Sequence, residues 1–159
     1  MVARRAPTAF VHSGSAYPVA MISRPLALRL REAGLVWRPA AGDRFQFLTQ
    51  DMESTGTDAF TVSDMTIEAH TYPTGTVLGF NGTTEWALDS VAIEEALWLP
   101  REDQLREALR GTFERLERDP DHGGWRVTCT FLGQRMSHLA DTPEDAYAMA
   151  VLAEVEASA

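Results

Sequence analysis

Residues 60–88 read FTVSDMTIEAHTYPTGTVLGFNGTTEWAL and decide the fold class. Polar and apolar side chains alternate over 60–71, which predicts one long strand with a solvent-exposed face and a buried face. A turn at 73–75 brings the chain back along a second strand. Asn81-Gly82 is a strong hairpin signal, because a type I′ turn needs two positive φ angles, and a third strand follows over 83–88. The segment therefore predicts an antiparallel β-meander.

Helices flank this meander on both sides in the sequence. Ser23 as a cap and Gly34 as a stop bound a short amphipathic helix. A second helix is expected over 100–118, with the i,i+4 ion pairs Glu102–Arg106, Arg110–Glu114 and Glu114–Arg118 on its solvent-facing side. Another hairpin is predicted over 125–139, and Thr142 then caps a final helix that is apolar nearly all round. We expect a single-domain α+β fold, an antiparallel β-meander with helices packed on one face.

Two stretches are less regular. Residues 89–99 fit a short helix or a strand equally well. At the N-terminus, Arg4-Arg5 precede a short apolar stretch that His12 soon interrupts, so residues 1–20 lack the hydrophobic region of a signal peptide. We interpret residues 1–20 as an N-terminal tail, which either belongs to the protein or lies upstream of a true start at Met21, and residues 21–159 as the single α+β domain.

The composition excludes several kinds of partner and chemistry. The 159-residue chain has a formal net charge of −9, from 14 basic and 23 acidic residues, which opposes binding to nucleic acid or to anionic membranes. Every basic residue is arginine, so no lysine is present for an ATP-binding phosphate loop or a Schiff base. No apolar run of about 18 residues occurs. We therefore expect no cofactor, no nucleic-acid partner and no membrane.

The single cysteine, Cys129, lies in the run RVTCTF at 126–131, which predicts a strand. One cysteine forms no internal disulfide, and this argues against an oxidising compartment. We expect a buried, inert thiol and a cytoplasmic location.

Two stretches of the sequence resemble a family of small bacterial proteins from actinobacteria and their relatives. The first joins VSDMTIE at 62–68 to FNGTTEWALD at 80–89, and the second is ALWLPREDQL at 96–105. The resemblance covers about residues 21–153. Members are often labelled pilus-assembly proteins, after an ATPase of the tight-adherence pilus system, but this chain is far shorter and has no phosphate loop. The resemblance implies no catalytic residues.

Four polar residues of the long predicted strand, Asp64, Thr66, Glu68 and His70, recur at period two and therefore share one face. Two carboxylates and an imidazole in a row can bind a divalent cation or perform acid–base chemistry. A solvated face of an antiparallel sheet has the same pattern, and we favour that simpler interpretation.

The predicted hairpin at 81–86 is a second candidate binding site. Asn81, Thr84, Glu85 and Trp86 offer hydrogen-bonding groups and an aromatic surface next to a tight turn. Turn chemistry with a core tryptophan explains the same residues more simply. The remaining tryptophans are expected to be core anchors: Trp37, Trp98 and Trp125. The other three histidines show no metal-ligand spacing: His12, His122 and His138.

Two functions remain open from the sequence. The first is a non-enzymatic cytosolic binding or accessory protein that engages another protein or a small ligand through its sheet. The alternative is a small hydrolase or metal-dependent enzyme that uses Asp64, Glu68 and His70. The absence of a recognisable catalytic motif favours the first.

Overall fold

The computed structural model describes residues 21–48, 59–63, 67–80 and 90–158, which form three α-helices and nine strands. The elements in chain order are α1 (Arg24–Glu32), β1 (Arg44–Phe47), β2 (Phe60–Thr61), β3 (Ile67–Tyr72), β4 (Gly75–Phe80), β5 (Ser90–Ala92), a 3-10 turn (Ile93–Glu95), β6 (Ala96–Leu99), α2 (Glu102–Leu109), a second 3-10 turn (Arg110–Thr112), β7 (Phe113–Arg118), β8 (Trp125–Phe131), β9 (Gln134–Ala140) and α3 (Pro143–Ser158). The predicted tail at residues 1–20 lies outside the described residues.

The strands form three antiparallel sheets, with the orders β2-β1-β6, β3-β4-β5 and β7-β8-β9. In the second sheet β3 and β4 form a hairpin that pairs Ile67 with Phe80 and Tyr72 with Gly75. The single-domain α+β fold class is confirmed. The continuous strand predicted over 60–71 is wrong, because β2 pairs with β1 whereas β3 pairs with β4. A period-two pattern does not reveal where a chain leaves one sheet for another.

Helix α3 is the centre of the larger core. It is apolar nearly all round, as predicted, and its Tyr147 is 1% exposed. Around it pack the inner sides of β8, α1 and α2, including the fully buried Val127 and Cys129. A smaller core forms around Phe45 and Leu78 of the first two sheets. In the part of the chain that the structure describes, no helix is long and apolar enough to cross a membrane.

The helix predicted over 100–118 is shorter than expected. Helix α2 ends at Leu109, and Arg110 adopts a positive φ of 52° before the chain becomes β7. The predicted ion pairs of Glu114 along a helix are therefore wrong. Its carboxylate instead accepts a hydrogen bond from Thr130 and pairs with Arg135. Pairing with β8 satisfies the β7 backbone, and Gly111 weakens the helix at this point.

The stretch 89–99, open between helix and strand, is a combination of both. It forms β5, the first 3-10 turn and β6. In β6 the side chains alternate between the two cores, since Leu97 belongs to the larger core and Ala96 to the smaller one. This strand therefore lies at the boundary between the two cores, and α1 packs next to it.

Candidate functional site

A pocket of about 200 Å³ opens where α1 faces β6. Ala27 and Leu30 form the wall on the helix side, and both are almost completely buried. Ala96 and Trp98 of β6 form the opposite wall. Two of these wall residues, Ala27 and Ala96, have short side chains that leave the gap between the walls unfilled. The remaining lining residues are mostly apolar: Leu35, Trp37, Ile93 and Pro100.

Two stacked tryptophans line one side of the pocket. The rings of Trp37 and Trp98 lie 6.3 Å apart between centroids and are nearly parallel, with 5° between their planes. Trp37 also packs against Phe45, and its Nε1 donates a hydrogen bond to Asp43 at 2.9 Å. The indole Nε1 of Trp98 is buried and has no hydrogen-bond partner among the described residues. The expected role as core anchors holds only in part for Trp37, which packs against the smaller core and lines the pocket, and not for Trp98, which lines the pocket without belonging to either core.

The carboxylate of Asp43 holds Trp37 of this tryptophan pair in place. Asp43 is 1% exposed and accepts hydrogen bonds from Trp37, from the backbone of Ala40 at 3.0 Å and from Gln104 Nε2 at 2.6 Å. The guanidinium of Arg101 adds an ion pair at 3.2 Å. A buried carboxylate needs such partners to offset the loss of water. The network therefore joins the segment before β1 to the start of α2 and fixes Trp37.

The mouth of the pocket carries its two ionisable groups, Arg31 and Glu94, both of which are exposed. Arg31 lies in the last turn of α1, on the face that also presents Ala27 and Leu30. Its Nη2 donates a hydrogen bond to the backbone carbonyl of Glu94 at 2.7 Å. The bond joins the helix to the 3-10 turn and holds the guanidinium at the entrance.

A wider groove of about 1030 Å³ lies on the other side of Trp98 and also borders Leu35. Its wall includes charged groups, among them Arg110 of the second 3-10 turn and Glu154 of α3. The Glu154 carboxylate accepts a hydrogen bond from Thr112. The groove is larger and more polar than the pocket, so the pocket is the better match for a small apolar molecule.

The structure places two of the sequence candidates together. Glu68 and His70 lie on the exposed face of β3, with 3.6 Å between Glu68 Oε2 and His70 Nε2. Ile67 and Ala69 face the smaller core, as the alternation predicts. The imidazole of His70 covers Gly79 on the neighbouring strand, where an added Cβ would lie 3.1 Å from the ring. The other candidates lie outside the described residues: Asp64, Thr66, Asn81, Thr84, Glu85 and Trp86.

Within the described ranges, no group of three or more His, Cys, Asp or Glu side chains is arranged to hold a metal ion. His122 contacts the buried carboxylate of Asp119 at 2.9 Å. Burial lowers the pKa of His138, whose Nε2 has no hydrogen-bond partner in the described part of the chain. Burial also raises the pKa of the Cys129 thiol, which keeps it protonated and unreactive at neutral pH.

Comparison with protein-family models, with curated protein sequences and with solved structures finds no match for this chain. The pocket itself was missed by reasoning from the sequence. The available signal was weak: an alanine on the buried side of α1 with an exposed arginine one turn later, and a tryptophan two residues after an alanine in β6. None of these residues indicates a cavity until α1 and β6 are seen side by side.

Proposed function

We propose that this protein is a non-enzymatic binding protein that holds a small, mainly apolar molecule between α1 and β6. The observation that carries the proposal is the pocket of about 200 Å³ with a stacked tryptophan pair as one wall. Of the two partner classes expected from the sequence, a small ligand fits this pocket. The proposed ligand would contact the sheet, as expected from the sequence, because β6 belongs to the first sheet.

The size of the pocket limits the ligand. An apolar cavity of about 150 Å³ inside a protein takes up benzene. A volume of about 200 Å³ therefore suits a molecule with one ring or two fused rings. Flat aromatic walls contribute dispersion and offset stacking beyond the area that they bury, about 0.5–1.5 kcal/mol for each ring pair.

The chemistry of the lining supports binding over catalysis. Its ionisable groups are Arg31 and Glu94, and both lie at the mouth. Acid–base catalysis needs a proton donor or acceptor within hydrogen-bond reach of the reacting atom, and nucleophilic catalysis needs an activated nucleophile. The walls next to a bound ring are apolar, so they exclude water and orient the ligand without offering such a group.

Binding is tested by adding naphthalene to the ¹⁵N-labelled protein and following the tryptophan indole N–H signals by NMR. We expect the signals of Trp37 and Trp98 to shift with saturation, while that of Trp125, which lies in β8, stays in place. Ala27→Leu, which fills the pocket, should abolish both shifts. No shift at either indole in the parent protein would refute the proposal.

The Glu68–His70 pair favours a second candidate function, a small hydrolase or metal-dependent enzyme. The two side chains approach within 3.6 Å on an exposed strand face, where water and a cation have access.

The free, buried thiol of Cys129 supports a cytoplasmic location for either function. We also propose that the protein is a member of the bacterial family that its sequence resembles.

A further inference from the structure

Arg31 is the arginine that lines the pocket, and like Arg24 of the same helix it contacts a carbonyl oxygen rather than a carboxylate. Arg29, two residues earlier on α1, pairs with the carboxylate of Glu156 at 3.3 Å. Arg101 pairs with Asp43 and Asp103. Arg31 has a backbone carbonyl as its partner and makes no ion pair with any carboxylate in the described part of the chain.

The guanidinium of Arg31 has donors to spare. Arginine carries five N–H donors in a planar fork, and the hydrogen bond to the Glu94 carbonyl engages Nη2. That bond also fixes the guanidinium at the entrance of the pocket. A planar cation with free donors at the mouth of an apolar cavity matches a ligand whose ring is inside and whose carboxylate is at the entrance, because the arginine fork fits a carboxylate in bidentate geometry.

We propose that the ligand is an aromatic carboxylate of one or two rings, with its ring against the tryptophan pair and its carboxylate on Arg31. This proposal rests on the proposed binding function and names the class of ligand for it. Glu94 is the opposing charge at the mouth, and it would favour a cationic ligand instead. Arg31 takes precedence because its hydrogen bond holds it at the entrance, whereas the exposed Glu94 carboxylate makes no such bond among the described contacts.

Three probes with the same ring separate these possibilities: naphthalene, 2-naphthoate and 2-naphthylmethylammonium. The NMR titration of the tryptophan indoles measures the dissociation constant of each at pH 7. The protein has a net charge of −9, so its overall field favours the cation and disfavours the anion. Tighter binding of 2-naphthoate must therefore arise locally. We expect it to bind at least about tenfold more tightly than naphthalene, the scale of one charge-assisted contact.

Variants assign the effect to Arg31. Arg31→Met should remove the preference for 2-naphthoate and leave the naphthalene affinity within about twofold, because the methionine keeps an apolar stem. Arg29→Met is the matched control on the same helix, since Arg29 does not line the pocket, and it should keep the preference. Glu94→Gln should strengthen 2-naphthoate binding, because it removes the opposing charge. The melting temperature of each variant confirms that it is folded.

The outcomes distinguish the two proposals. Equal affinities for naphthalene and 2-naphthoate would overturn the carboxylate assignment and leave the binding function standing. Tightest binding of the ammonium probe would also overturn it and would assign specificity to Glu94. If Arg31→Met and Arg29→Met both lose the preference for 2-naphthoate, the preference arises from the combined positive charge of the helix arginines and not from a contact with Arg31. Binding of none of the three probes would refute the binding function itself.

Discussion

Replacing Ala27 with leucine should stabilise the protein, which is an unusual result for enlarging an alanine that is 2% exposed. The alanine borders the pocket of about 200 Å³, so the three added carbon atoms have space to occupy. Burying a carbon of this kind contributes about 0.8 kcal/mol, or about 2 kcal/mol for three. Fixing the leucine rotamer costs about 0.5–1 kcal/mol. The expected net gain is about 1–2 kcal/mol in the free energy of unfolding.

Ala150 provides the matched control for this substitution. It lies on α3, is 0% exposed, belongs to the same core as Ala27 and borders neither the pocket nor the groove. Enlarging it forces neighbours out of their preferred rotamers, and such overpacking costs about 1–3 kcal/mol. Ala150→Leu should therefore unfold at lower urea concentration than the parent protein, while Ala27→Leu should unfold at higher urea concentration.

Urea unfolding followed by circular dichroism measures both variants, and m-values equal to that of the parent confirm that the same transition is compared. A gain of 1 kcal/mol corresponds to a rise in melting temperature of about 2–4 °C at this size. If Ala27→Leu is as destabilising as Ala150→Leu, the space between α1 and β6 does not exist in solution. The pocket and both proposals built on it would then be refuted.

Three further predictions address other parts of the molecule. Asp43→Ala should lower the free energy of unfolding in urea by about 3 kcal/mol, because it leaves Trp37 Nε1, Gln104 Nε2 and the Arg101 guanidinium without their buried partner; a loss under 1 kcal/mol would contradict the proposed network. Hydrogen bonds from Arg126 and from His122 hold the pKa of Asp119 below its ordinary value. The contribution of Asp119 to the free energy of unfolding is therefore fully present above about pH 4 and is lost as the pH falls further. Asp119→Asn should show a shallower loss of melting temperature in acid than the parent, and an unchanged acid profile would be evidence against this. Replacing Glu68 and His70 with Ser and Thr should change the free energy of unfolding by no more than about 0.5 kcal/mol per site, as expected for a solvated face. A rise in melting temperature that zinc causes in the parent protein and not in this variant would instead establish a metal site.

Local signals in the sequence predicted some elements well for a physical reason. The Thr142 hydroxyl caps α3 by accepting a hydrogen bond from the Asp145 N–H. Ser23 occupies the N-cap position of α1, but its side chain makes no cap hydrogen bond. The alternation over 125–139 reflects one sheet face. Helix α2 was extended too far because the residues after it, FERLER at 113–118, fit a helical stripe as readily as a strand. The deciding partner, β8, begins seven residues after β7 ends, and a propensity pattern contains no information about it.

The pocket was beyond prediction because its residues come from two stretches that are far apart in the chain, 27–37 and 93–100. Ala27 and Arg31 belong to α1, Trp37 to the following loop, and Ala96 and Trp98 to β6. Each residue alone is ordinary for a core position, and a tryptophan is more often a core anchor than a ligand wall. What creates the cavity is the pairing of small residues across a helix–strand contact, and this depends on tertiary structure. By contrast, the Glu68–His70 contact was predictable, because it follows from period two within one strand.

The same tertiary structure explains why the pocket is formed before any ligand arrives. Trp37 does not depend on a ligand for its position, because its Nε1 is bound to Asp43 and its ring stacks on Trp98. Asp43 is in turn fixed by groups at the start of α2, so the flat wall is tied to two elements outside the pocket. A ligand then pays little entropy for ordering the aromatic wall, and more of its contact energy is available as affinity. The position at the boundary of two cores is therefore consistent with a binding site, since each core supports one wall and neither has to rearrange for the gap to be occupied.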